Sequence, residues 1–188
     1  MKKTHLRLAI SLTVYSLFLG FVGPSLAKDV VFDHNYAGFT IQVPNTWIVE
    51  YPPGKEKNAP AVYVTTPDGG SKDEFLENCN VCIGKEAENV DGAKLRLVHK
   101  RGQNGLKQMT RDFTEYKKEE TQVGGLPAIW SITAFTAPGA QAQTKNLGYM
   151  IAHNQMVFSV ICTALPTTFS GYEQTFHDIA KSFRVTQK

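Results

Sequence analysis

The chain has 188 residues, 42% of them hydrophobic and 20% charged, with 20 Lys+Arg against 17 Asp+Glu. Lys2, Lys3 and Arg7 supply the whole basic excess, so everything after the first few residues is neutral and carries no basic stripe. That balance excludes nucleic acid as a partner, and the length suits one domain with a real hydrophobic core.

Residues 1–27 read as a cleaved signal peptide. No acidic residue precedes Asp29, Leu8 to Val22 is mostly apolar, and Gly23-Pro24 ends that run. Ser25-Leu26-Ala27 then puts small residues where a signal peptidase reads. A retained anchor would need about 20 apolar residues, more than this run offers, and no cysteine follows it to take a lipid. The expected product is residues 28–188, a single domain, periplasmic or secreted, with no stable membrane span once the leader is gone.

Gly38 to Pro44 alternates apolar and polar residues, a half-buried strand stopped by proline. Trp47 and Ile48 lead into a loop, Tyr51 to Pro60. Ala61 to Thr66 is a second strand, closed by a turn at Pro67-Asp68-Gly69-Gly70. Glu77 to Gly84, "ENCNVCIG", is a third. Between Ala93 and Phe113 the spacing turns helical, through Leu95, Val98, Leu106, Met109 and Phe113, with Gly102 and Gly105 predicting a break near the middle. Tyr116–Val123 and Leu126–Thr136 face each other across Gly124-Gly125, a hairpin signal. Thr144–His153 and Met156–Ala164 do so across Asn154-Gln155. Last comes a helix capped by Thr167 or Thr168, with Phe169, Tyr172, Phe176, Ile179 and Phe183 in one stripe. That stripe is too aromatic for water and must cover a sheet. The layout is α+β, helices on an antiparallel sheet.

Four motifs in this order resemble PsbP-like proteins, nearest to their bacterial periplasmic branch, which includes DcrB-type proteins. They are Phe39-x-Ile41-x-Val43-Pro44-x-x-Trp47, Phe75-x-Glu77-Asn78-x-Asn80-Val81, Gly125-x-Pro127-Ala128 and the aromatic last helix ending in Ser182-Phe183. The resemblance spans about residues 30–186. It implies an antiparallel sheet flanked by helices on both faces, an α/β/α sandwich. It also implies an accessory or binding role rather than catalysis, as in the photosystem II extrinsic subunit, and it offers no catalytic residue. Cys79 stands where family members usually carry an aliphatic residue.

Cys79 and Cys82 form a C-x-x-C pair, which has several readings. A reactive dithiol wants its first cysteine at a helix N-terminus, and here the flanks are those of a strand. A structural zinc site wants four ligands, yet only Cys162 remains as a sulfur, and His34, His99, His153 and His177 are dispersed. In a strand the two α-carbons lie roughly 10 Å apart, beyond the reach of a disulfide, and their side chains point to opposite faces. Cys79 shares a face with Val81 and Ile83, and Cys162 shares one with Phe158, Val160 and Ala164. An exported protein meets oxidising conditions. Any disulfide therefore includes Cys162, with Cys79 as partner and Cys82 left as a free thiol; the alternative is three buried thiols acting as small hydrophobes.

No G-x-S-x-G and no phosphate loop appears. The reading is an exported, non-catalytic accessory protein of the cell envelope, with a protein or other envelope component as partner and no cofactor. The alternative is a carrier of a small ligand or metal ion in a cleft beside the sheet, lined by Tyr51, Tyr63 and His153. A third is an enzyme with dispersed catalytic residues.

Overall fold

A computed structural model of the chain describes residues 26–32, 38–51, 61–67 and 75–186. The leader up to residue 25, residues 52–60 of the expected loop and the turn positions 68–70 lie outside them. The elements run β1 (Leu26–Phe32), β2 (Gly38–Pro44), β3 (Ile48–Glu50), β4 (Val62–Thr65), β5 (Asn78–Lys85), α1 (Gly92–Met109), β6 (Arg111–Val123), β7 (Leu126–Thr136), β8 (Thr144–His153), β9 (Met156–Ala164), α2 (Phe169–Lys181) and β10 (Arg184–Thr186).

The strands form two sheets, with every pairing antiparallel. A large sheet has the order β3-β4-β5-β9-β8-β7-β6, and a small one the order β1-β2-β10. The large sheet is two meanders. The first ends at β5; the chain then crosses over through α1 to the far edge, β6, and the second meander walks back until β9 lies beside β5. The small sheet is a departure from the single sheet expected, and so is β3, a short strand just ahead of the expected loop at Tyr51 to Pro60. Strands of three residues, such as β3 and β10, carry too few positions to show a period.

Side-chain parity sorts the large sheet into two faces. Ala128, Trp130, Leu147, Tyr149, Ile151, Phe158, Val160 and Cys162 pack with Phe169, Phe176 and Ile179 of α2 and with Phe39, Ile41 and Val43 of β2. Ile129, Ala152 and Val157 point the other way and pack with Leu95 and Val98 of α1. The sheet is thus covered by helices on both faces, as the sequence implies, and the small sheet shares the α2 side. The rings of Phe39, Phe158 and Phe183 meet at centroid distances of 6.1, 5.3 and 5.0 Å. Trp47 meets the edge of Phe176 at 6.4 Å.

α1 differs from its expectation in two ways. It runs unbroken through Gly102 and Gly105, and it ends at Met109, leaving Phe113 to β6. Two interior glycines weaken a helix by about 1 kcal/mol each, less than its fixed ends and packed face supply. The Asp91 side chain accepts from the Lys94 N–H at 2.8 Å, and Thr110 N–H donates to Leu106 O at 2.9 Å. α2 holds the predicted stripe, with Thr168 at its N-cap position. The Thr168 hydroxyl does not cap the helix: it donates to Glu77 Oε1 at 2.7 Å, tying the helix start to the carboxylate just before β5.

Gly124-Gly125 closes the β6–β7 hairpin with φ of 58° and 79°, the pair of positive values a two-residue turn of this hand needs. A Cβ on Gly124 would also come within 3.0 Å of Arg184 Cδ. In β1, Leu26 pairs with Pro44 and Lys28 with Val43, with a register shift between. Cleavage after Ala27 would leave Lys28 as the first paired residue.

Phe176 is fully buried, so Phe176→Ala should cost about 3–5 kcal/mol. An unchanged urea midpoint would mean that α2 is not packed on the sheet. A Cβ at Gly102 or Gly105 meets nothing within 4 Å; Gly102→Ala and Gly105→Ala should each stabilise by about 0.4–1 kcal/mol, read as a raised midpoint. A lowered midpoint would restore the broken helix of the sequence reading.

Candidate functional site

The register of β5 against β9 sets Cys79 directly opposite Cys162, and the two are joined by a disulfide with S–S 2.07 Å. Both are buried in the α2-side core. Cys82 lies on the other face, where its thiol donates to Asn80 Oδ1 at 3.5 Å. Burial pushes the Cys82 thiol pKa up, away from the thiolate a redox centre needs. The C-x-x-C pair is therefore split across the sheet, as the strand reading requires. Among the described residues no group of three metal-ligating side chains comes together.

Tyr51, Tyr63 and His153 do not converge, which corrects the expected cleft. Tyr63 is opposite Asn80 on β5 and so stands on the α1 side. His153, two residues beyond Ile151, stands on the α2 side at the β8–β9 turn, where its Nε2 is 3.2 Å from Asn154 Nδ2. Tyr51 is exposed, and its hydroxyl donates to Val31 O at 3.4 Å, outside the large sheet. The reason is parity: one cleft cannot be lined from both faces of one sheet.

A groove of 310 Å³ does exist elsewhere, on the outer face of the small sheet, lined by Asp29, Val31, Thr40, Gln42, Ser182 and Arg184. Two of its polar side chains are engaged within the chain. Ser182 Oγ accepts from Gln42 N–H at 2.8 Å and donates to Ile179 O at 2.6 Å. Arg184 Nη1 donates to Lys181 O and Phe183 O. Ser182 thereby stands in for a strand partner beside β2.

The structure gathers two side-chain clusters that the sequence reading missed. Under α1, His99 Nε2 lies 3.4 Å from Ser131 Oγ, 3.2 Å from Gln103 Nε2 and 4.0 Å from Glu115 Oε1. Serine, histidine and carboxylate together suggest a hydrolase, but the geometry refuses it. In a catalytic relay the carboxylate and the serine use different imidazole nitrogens; here both face Nε2. Ser131 is also only 4% exposed, so no substrate reaches it. Gln103 Oε1 is buried without a hydrogen-bond partner; a half-turn of the amide would let it accept from Ser131 or His99. The signal in the sequence was position: His99 continues the stripe of Leu95 and Val98.

The second cluster lies under α2. The Tyr149 hydroxyl and His177 Nδ1 share a 2.8 Å hydrogen bond, and His177 meets Trp130 edge-on at 4.9 Å. Lys117 Nζ sits 4.7 Å over the Trp130 ring. Burial, with Glu119 and Asp178 adding to it, pushes the Tyr149 pKa up to about 12. That phenol stays protonated, able to hold the imidazole in place but unable to act as a base near neutrality.

No family model matches the sequence, and no curated protein does either. Solved structures do. Cyanobacterial PsbP (CyanoP) from Synechocystis has a TM-score of 0.62 at 18% identity, covering 89% of this chain and 96% of that one. LpqN of Mycobacterium tuberculosis, which is involved in cell envelope biogenesis, has a TM-score of 0.63 at 14% identity, covering 85% of this chain and 91% of that one. The chain has the PsbP-like fold. At such identities the likeness speaks for fold alone. Within it, the residues that carried the resemblance are structural. Phe39, Ile41 and Val43 form the inner face of β2, Glu77 anchors α2, and Gly125 turns the hairpin.

The histidines of this PsbP-like domain give it a pH dependence. Burial holds His99 below its ordinary value, with Glu115 opposing and Lys118 reinforcing. His177 is lowered by burial first, and then by Lys181. The unfolded chain then binds more protons than the folded one, so stability rises with pH across that interval. The contribution is complete above about pH 6.5, the unfolded value, and is lost as pH falls below it. His99→Gln should flatten the loss of unfolding free energy between about pH 7 and 5, measured by urea melts. Equal slopes in variant and wild type would show that His99 has no lowered pKa.

Proposed function

We propose that the chain is an exported, non-catalytic accessory protein of the cell envelope that works by binding a protein partner. The observation that carries this reading is the buried Cys79–Cys162 disulfide, a bond that persists in oxidising compartments and is rare in the cytosol. It supports export independently of the leader at residues 1–27 and agrees with a mature domain at residues 28–188. LpqN, with the same fold, is involved in envelope biogenesis. The sealed geometry around Ser131 and His99 supports a binding role over catalysis.

The surface for that role is the part of the large sheet that α1 leaves uncovered. Tyr63, Asn80, Cys82, Ser159, Ile161 and Met150 are half-buried there, an uncharged strip across β4, β5, β9 and β8. Burial of such a strip against a partner needs no charge to be neutralised.

Two measurements test the proposal. Periplasmic material from a Gram-negative host should have an intact mass beginning at Lys28, with two thiols paired and one free. A product keeping the leader in the membrane, or three free thiols, overturns export. For binding, a photo-crosslinking residue at Ile161 should give a discrete adduct with envelope extract, and one at Leu97 on the outer side of α1 should not. Equal labelling, or none at Ile161, overturns the assigned surface.

A further inference from the structure

The strand β6 is the free edge of the large sheet, pairing with β7 on one side and with no strand on the other among the described residues. It is 13 residues long, and every side chain except Phe113 and Val123 is exposed. An edge of this length is normally an aggregation hazard. Lys117, Lys118, Glu119 and Glu120 sit at its middle, so arbitrary apolar strands are repelled. These four residues are not merely repellent, however, because their order is self-complementary.

Backbone geometry decides which pairings are open. Gly124-Gly125 makes a two-residue turn, so Val123 and Leu126 are its hydrogen-bonded closing pair. Alternation along an antiparallel ladder then directs the backbone groups of Thr121, Glu119 and Lys117 to β7. Those of Gln122, Glu120 and Lys118 point outward. A second β6 running antiparallel must match outward residues with outward residues. Centring on Lys118 or on Glu120 sets like charges together at the outward positions. Centring on Glu119 sets Lys118 opposite Glu120 of the partner subunit, twice, by symmetry. The two Glu119 side chains then meet at the axis, each already paired with its own Lys117 at 3.0 Å.

We propose that β6 is a self-association edge, on which a second copy of this chain adds its own β6 antiparallel, in the register centred on Glu119, to make one continuous sheet through a two-fold axis. Lys118 and Glu120 are the residues that select the register. Glu120 already lies 3.0 Å from Arg96 of α1, which fixes its carboxylate on the α1 side, the face on which the incoming lysine also falls. The area joined is modest, so the dimer is dynamic and weakens as salt screens the pairs.

Sedimentation of the full mature protein at low ionic strength tests this, with thermal melts to confirm folding. Wild type should show a concentration-dependent dimer that dissociates at high salt. Lys118→Glu places four carboxylates on the α1 side of the axis and should abolish the dimer, and Lys118→Glu with Glu120→Lys should restore it. Lys118→Pro removes an outward N–H and no bond to β7, so it should also give a folded monomer. A wild type that stays monomeric at high concentration overturns the proposal. So does a dimer that survives Lys118→Glu, or one that the double exchange does not recover.

Discussion

The pairing of β5 with β9 is the contact on which the rest of the molecule depends. Before it forms, the chain is two separate meanders, β3-β4-β5 and β6-β7-β8-β9, each held by neighbouring strands close in sequence. Only this ladder joins them into one sheet, and it does so between residues about 80 positions apart, a long loop to close. The disulfide sits within that ladder, at a sequence separation of 83. On the chain-entropy model such a bond stabilises by up to about 4 kcal/mol, at a junction where a long loop must otherwise be closed by packing alone. The same register that aligns Cys79 with Cys162 turns Cys82 to the other face. One pairing therefore decides that this C-x-x-C is structural.

The two faces of the joined sheet are built differently, and their covers follow from that. The α2 side is aliphatic and aromatic throughout, from Val64 to Trp130, and it takes the aromatic helix and the small sheet in a single core. On the α1 side, parity presents Asn80, Ser159, Gly148 and Ser131, a surface with little for a helix to bury. α1 accordingly packs where apolar residues remain, on Ile129, Ala152 and Val157, and fills the gap with His99 and Gln103. A helix containing two glycines and a buried histidine suits a smaller and more polar contact. Among the described residues the remainder of that face is left uncovered, in keeping with its composition.

Much of this was legible because strand parity survives without knowledge of register. The alternation in "ENCNVCIG" alone separated Cys79 from Cys82, and the apolar company of Cys162 made it the partner. The aromatic stripe of α2 and both hairpins were equally plain, since each is a local pattern with a turn beside it. What the sequence hid was whatever depends on tertiary partners. Gly102 and Gly105 look like a break until the packed face of α1 outweighs them. Gly38–Pro44 reads as a strand, but nothing in its period says that it belongs to a second sheet. Tyr51, Tyr63 and His153 looked like a cleft only while the faces they occupy were unassigned.

The same separation of faces bears on what the protein can do. Four groups with chemical potential serve the architecture: a disulfide in the core, a serine under a helix, a phenol holding an imidazole, a carboxylate tying down α2. Ser131 and Glu77 are buried, and the Tyr149 phenol is engaged with His177. What remains available is backbone and surface: a neutral strip beside α1 and a charged edge at β6. They differ in kind, since the strip offers side-chain contact without direction, whereas the edge offers ordered hydrogen bonds with charges that fix register. Both surfaces follow from the same alternation, which put each residue on its face.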